Sequence, residues 1–190
     1  MSIKAGFAMC GSFCTFGKVI PEIRKLINSG IEVVPIMSFN AYSMDTRFGK
    51  AKDFICEIES ITGKEIIHTI EGAEPIGPKK LIDALIIEPC TGNTLAKLAM
   101  GIADTPVTLG AKSNLRNGNP LIIAVSSNDA LGNAGKNIGL LLNSKNTYFV
   151  PFKQDDPEKK PTSAVADFGR TKDTFLNALV GKQIQPVIIQ

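Results

Sequence analysis

A chain of 190 residues is the length of one globular domain, and 44% hydrophobic with 21% charged residues excludes disorder and fibrous or linker-like architectures. Its 21 basic and 18 acidic side chains leave a net charge of +3, too near balance to mark a nucleic-acid surface. No apolar run approaches the ~20 residues that span a bilayer, so no membrane partner is expected. The stretch Ala5–Cys10, broken at once by Gly11 and Ser12, is too short for a signal-peptide core, and a cytoplasmic protein is expected. Cys10, Cys14, Cys56 and Cys90 lack the paired short spacing of zinc sites, so free thiols and no metal are expected.

Short apolar runs alternate with helical periods along the chain, the pattern of βαβ units. Ile3–Met9 reads as a buried strand, and Val19, Ile20, Ile23, Leu26 and Ile27 then share a helical face that Gly30 ends. Residues 31–37 make a second strand, and Ala51, Phe54, Ile55, Ile58 and Ile61 a second helical stripe closed by Gly63. Residues 65–70 read as a third, more exposed strand and residues 85–88 as a fourth, followed by a helix bearing Leu95, Leu98, Ala99 and Ile102. Residues 121–125 form the next strand, ahead of a helix bearing Leu131, Ala134, Ile138, Leu141 and Leu142. A sixth strand over 148–152, a charged solvated loop over 154–160, a late helix carrying Ala164, Val165, Phe168, Phe175, Leu176 and Leu179, and an apolar tail at 187–189 complete the chain. Strands this apolar are covered on both faces, so the expected architecture is a parallel sheet between two helical layers, one domain over residues 1–190.

In such sheets ligands bind beyond the carboxyl ends of the strands, which directs attention to the loops after them. Gly11 and Ser12, with Thr15, lead into a helix and offer N–H groups and hydroxyls to an anion; plain helix capping is the alternative. The long loop after the second strand holds Ser38, Asn40, Tyr42, Asp45, Thr46 and Arg47. Thr91, Asn93 and Thr94 crowd one helix start, more hydrogen-bonding groups than a cap requires, and Ser126, Ser127, Asn128 and Asp129 open another. Together these loops point to a ligand with an anionic group and a polar heterocycle. No nucleophile–base pair stands out, because the one histidine, His68, lies in none of them, and catalytic residues stay unassigned.

The run Glu88–Asp104, reading EPCTGNTLAKLAMGIAD, resembles the hallmark segment of the homo-oligomeric flavin-containing cysteine decarboxylases. The resemblance implies a three-layer, Rossmann-like (flavodoxin-like) fold and an FMN site made by Gly11, Ser12, Thr15, Ser38, Asn40, Thr91, Asn93, Thr94 and Asn128, shared between subunits of a trimer or dodecamer. Two departures stand out. The decarboxylases' catalytic histidine would fall near Pro75, with His68 seven residues too early, and the methionine of their Pro-x-Met-Asn motif is missing from Val125-Ser126-Ser127-Asn128. Decarboxylation therefore lacks its acid–base group.

Residues 46–49 (TRFG), 73–79 (AEPIGPK), 127–132 (SNDALG) and 151–161 (PFKQDDPEKKP) are similar to the B subunits of the dipicolinate synthase family. That resemblance implies a sporulation enzyme of the mother-cell cytoplasm, forming dipicolinate from dihydrodipicolinate or its hydrated precursor. It also implies a partner A subunit that carries NADPH. Arg47, Lys79 and Arg116 are then the candidates to pair with the substrate's two carboxylates, Arg47 first because it sits in the long loop. Two alternatives stay open: a non-catalytic partner of the A subunit with a vestigial flavin slot, and decarboxylase-like flavin chemistry.

Overall fold

A computed structural model of the chain describes residues 2–190. In chain order the elements are β1 (Lys4–Met9), a 3-10 turn over Phe13–Thr15, α1 (Phe16–Asn28), β2 (Glu32–Met37), α2 (Phe39–Ser43), α3 (Ala51–Thr62) and α4 (Ile70–Ala73). They continue with a 3-10 turn over Glu74–Ile76, β3 (Ala84–Cys90), α5 (Gly92–Ala99), α6 (Pro106–Arg116), β4 (Leu121–Ser127) and α7 (Asn133–Leu142). β5 (Thr147–Phe149), β6 (Phe152–Asp156), β7 (Lys160–Ala166), a 3-10 turn over Phe168–Arg170 and α8 (Thr171–Leu179) close the chain.

β1 lies between β2 and β3, β3 beside β4, and β4 beside β5, all parallel. Every residue of β3 is buried, as are residues 121–126 of β4, because helices cover both faces. α1 and α8 pack together on one face, while α6 crosses the other against β2, β3 and β4 with α5 beside it. The result is a flavodoxin-like α/β fold around one continuous apolar core.

The sheet is mixed rather than wholly parallel. β6 and β7 form an antiparallel hairpin, and β7 joins β4 antiparallel through Ser126↔Val165 and Ser127↔Ala164. The outer edge of β4 is thus divided, its first half taken by β5 and its end by β7. The charged 154–160 segment expected as a loop supplies the turn of this hairpin and the adjoining strand ends, and Ala164 and Val165, expected in a helix, are in β7. Exposed Lys153, Gln154 and Asp155 on β6 suit an outermost strand, where charge discourages pairing with another chain. The apolar tail lies along this strand, with the Phe152 N–H donating to the Val187 carbonyl at 2.9 Å.

Residues 65–70 do not form a strand. Only Ile67 bridges to Ile36, and then Thr69 caps α4 by accepting the Gly72 N–H at 3.0 Å. α6 has no counterpart in the apolar periodicity, because its buried face is largely small or polar: Thr108, Gly110, Ala111, Ser113 and Asn114. It is set instead by a capping box between Thr105 and Thr108, Pro106 in its first turn, and Asn114 donating to the Pro120 carbonyl at 2.8 Å.

Candidate functional site

The carboxyl ends of β1, β3 and β4 open into a cleft of about 540 Å³, and the β6–β7 hairpin forms its fourth wall. From β1 come Gly11 to Thr15 and Lys18, from β3 Thr91 and Gly92, from β4 Ser126 to Asn128, and from the hairpin Asp155, Lys160 and residues 163–165. Phe48 reaches in from the long loop after β2.

Ser12 is not a helix cap. Its hydroxyl lies 2.8 Å from that of Ser126, linking β1 to β4 across the cleft, and Thr15 donates to the Ser12 carbonyl at 2.7 Å. Thr91 precedes α5 without capping it; its hydroxyl is 3.4 Å from that of Thr94, which donates to Cys10 Sγ at 3.2 Å. Thr94 is therefore buried behind the wall and holds Thr91 and Cys10 in place. The free N–H groups of the α5 start complete this wall. Gly92 is needed for closeness: a Cβ there would approach Ser127 Oγ to 2.9 Å. Asn128 is exposed in the lining, and its carbonyl accepts from Thr162 at 2.7 Å, tying β4 to the hairpin.

Of the residues singled out by sequence, the cleft thus brings together Gly11, Ser12, Thr15, Thr91 and Asn128, with Thr94 directly behind. Ser38 caps α2 by accepting the Ala41 N–H, Asn40 stands near Gly11 outside the lining, and Asn93 is exposed on α5. Arg47 is exposed, its guanidinium 4.8 Å from the Phe48 ring centre, which places it at the rim. Lys79 precedes β3 and Arg116 precedes β4, so both lie at the amino-terminal end of the sheet, opposite the cleft. His68 stacks on Tyr42 with ring centres 3.7 Å apart and is not in the lining.

Sequence reasoning did not find Lys18 and Lys160, the two cations of the cleft. Lys160 pairs with Asp155 at 2.7 Å, which raises its pKa and keeps it charged. Burial pushes the Cys10 thiol up to about 11, against the Thr94 hydrogen bond and a Thr91 backbone contact, and also pushes Cys90 well above the ordinary thiol value. Neither is a thiolate nucleophile near neutral pH. Among the described residues no group of three or more His, Cys, Asp and Glu side chains is placed to hold a metal ion.

Comparison with known proteins agrees with this geometry. The Flavoprotein family model matches residues 2–174. The B subunit of dipicolinate synthase from Bacillus subtilis (strain 168) is 44% identical over 187 residues, covering 98% of this chain and 94% of that protein. The crystal structure of the dipicolinate synthase B subunit from Bacillus halodurans superposes with a TM-score of 0.91 at 41% identity, over 100% of this chain and 99% of that one. A dodecameric FMN-dependent UbiX-like decarboxylase from Escherichia coli O157:H7 shares the fold, with a TM-score of 0.61 and 21% identity over 78% of this chain and 80% of that one. No helix among the described residues is long and apolar enough to cross a membrane. The chain belongs to the Flavoprotein family, in the group of dipicolinate synthase B subunits.

Proposed function

We propose that this chain is the flavin-holding subunit of a dipicolinate synthase, an oxidoreductase component that works with an A subunit carrying the nicotinamide cofactor, whose oxidised form is reduced and leaves as NADPH, to turn dihydrodipicolinate, or its hydrated precursor, into dipicolinate during sporulation. The observation that carries this reading is the cleft at the carboxyl ends of β1, β3 and β4, walled by hydroxyls and a helix start, in a chain similar end to end to dipicolinate synthase B subunits.

The donor set fits FMN. Ser12, Thr91, Ser126 and Ser127 present hydroxyls, the α5 start presents N–H groups to a phosphate, and the close approach at Gly92 leaves a shallow cradle beside them. When bound, the flavin supplies a hydride acceptor, which removal of two hydrogens from a dihydropyridine requires. The chain's own residues bind and orient: Thr94 fixes Thr91 from behind, and Asn128 fixes the hairpin to β4. Ser38, Asn40 and Asn93 lie outside the lining and join the site through a neighbouring copy in a trimer or dodecamer. At the rim, Arg47 meets a substrate carboxylate as it enters.

A second reading, a B subunit that only shapes its partner, is favoured by one observation. The sole histidine is stacked on Tyr42 outside the lining, leaving no imidazole in the cleft for acid–base work. Turnover of dihydrodipicolinate with NADP⁺ by the A subunit alone, by this chain alone and by the mixture, each with and without FMN, decides between them. FMN-dependent turnover confined to the mixture supports the proposal. A mixture indifferent to FMN supports the second reading, and turnover by this chain alone at the mixture's rate refutes dependence on a partner.

A further inference from the structure

We propose that Lys18 and Lys160 are the carboxylate-binding pair of the cleft, and that Asp155 competes with the ligand for Lys160. This inference rests on the dipicolinate synthase reading above and names the residues that recognise a pyridine dicarboxylate within it.

The cleft lining contains two cations and one acid, and all three lie on elements apart from the hydroxyl wall at Thr91 and Ser126. Lys18 is in the first turn of α1. Lys160 opens β7, and Asp155 faces it from β6 across the hairpin. The two lysines line the same cleft from different elements, Lys18 from the helix that follows β1 and Lys160 from the hairpin. One ligand in the cleft is therefore within the lining of both cations, as two carboxylates on one ring demand. Ser163, next along β7 and buried, adds a hydroxyl between them and the β4 end.

The pair with Asp155 adds discrimination. At 2.7 Å the carboxylate of Asp155 already satisfies one donor of Lys160, so an incoming anion gains only its advantage over that partner. A monocarboxylate, held by Lys18 alone, displaces Asp155 poorly; a dicarboxylate, anchored first at Lys18, does so as an intramolecular step at high effective concentration. The three cations proposed from sequence do not share this arrangement: Arg47 is over Phe48 at the rim, and Lys79 and Arg116 are at the far end of the sheet. Neither lysine serves the flavin phosphate in this assignment, which gives that group to the N–H groups of the α5 start.

The test is calorimetric titration of the full chain with sodium pyridine-2,6-dicarboxylate in metal-free, low-salt buffer, beside titrations with FMN and with riboflavin. Lys18→Ala and Lys160→Gln should each weaken dicarboxylate binding about tenfold, the size of one lost charge-assisted hydrogen bond. Asp155→Asn should tighten it several-fold, and the preference for FMN over riboflavin should be unchanged in all three. Lys153→Ala, a control on the same hairpin but outside the cleft lining, should bind as the unmodified chain does. Equal dicarboxylate affinity in the unmodified chain and the lysine variants overturns the pair while leaving the dicarboxylate reading intact. Loss of FMN but not riboflavin binding in the lysine variants also overturns it, by assigning the cations to the phosphate. If no chain binds the dicarboxylate, the reading on which the pair rests falls, and the pair with it.

Discussion

Glu88 makes the stability of the strand that leads into Thr91 depend on pH. It lies in β3 with no exposed surface; Oε2 accepts the Thr171 hydroxyl at 2.5 Å, and Oε1 has no partner. Burial raises its pKa well above the ordinary 4.5, the nearby Glu22 carboxylate adds to this, and the Thr171 hydrogen bond and Lys25 oppose it. The folded chain therefore keeps a proton that the unfolded chain releases above 4.5. Stability is full below that value and falls as pH rises towards the folded pKa, by about 1.4 kcal/mol per pH unit for one proton. Glu88→Gln has the shape of the neutral acid, still accepts from Thr171 and cannot ionise. Urea unfolding followed by circular dichroism, from about pH 4.5 to about pH 8, should give equal stabilities at the acid end and a growing advantage for the glutamine variant above it, with the slope just given. Thr171→Val, which strips the remaining partner, should cost about 1–3 kcal/mol. A difference between Glu88→Gln and the unmodified chain that does not change with pH would refute the reasoning.

Replacing both Ser12 and Ser126 by alanine should weaken flavin retention about tenfold or more, since a hydrogen bond to a charged group is worth about 1.5–3 kcal/mol, whereas Thr91→Val should act similarly only if its hydroxyl faces the ligand; unchanged retention in the double variant removes the hydroxyl wall from the site. Light scattering at micromolar concentration should give at least a trimer, consistent with Phe39, Met44 and Phe48 exposed on and near the long loop that reaches the cleft, and a monomeric mass refutes the shared site. Iodoacetamide on the native chain should label Cys14 and Cys56, which are exposed, and spare Cys10 and Cys90, which are buried; mass spectrometry counts the adducts, and rapid labelling of Cys10 would contradict its burial behind Thr94.

The central strands were legible because a strand buried on both faces must be apolar throughout, as residues 85–87 and 121–125 are. α6 was not, since a helix that packs through Gly110, Ala111 and Asn114 shows no apolar stripe. The hairpin was hidden by charge: Asp155 and Lys160 read as solvated, which they are, yet an outermost strand is solvated too. In the cleft, Gly11, Ser12, Thr91 and Asn128 were accessible to sequence reasoning because a parallel sheet gathers the loops that follow its strands. The same rule excludes Lys79 and Arg116, which precede strands. Lys18 and Lys160 are 142 positions apart in sequence and line one cleft only because β7 turns back onto the end of β4.

The division of the β4 edge separates what builds the scaffold from what reads the ligand. At Ser126 and Ser127 the main chain is engaged with β7 on its outer side, and Val125 just before them is paired with β3 on the inner. Few peptide groups are therefore left at this end of the strand to grip an anion, and recognition along that wall passes to side chains. Hydroxyls at 126, 127 and 163 can be exchanged for other small groups without breaking a ladder, so the selectivity of this wall is open to change by single substitutions while the sheet that supports it stays as it is.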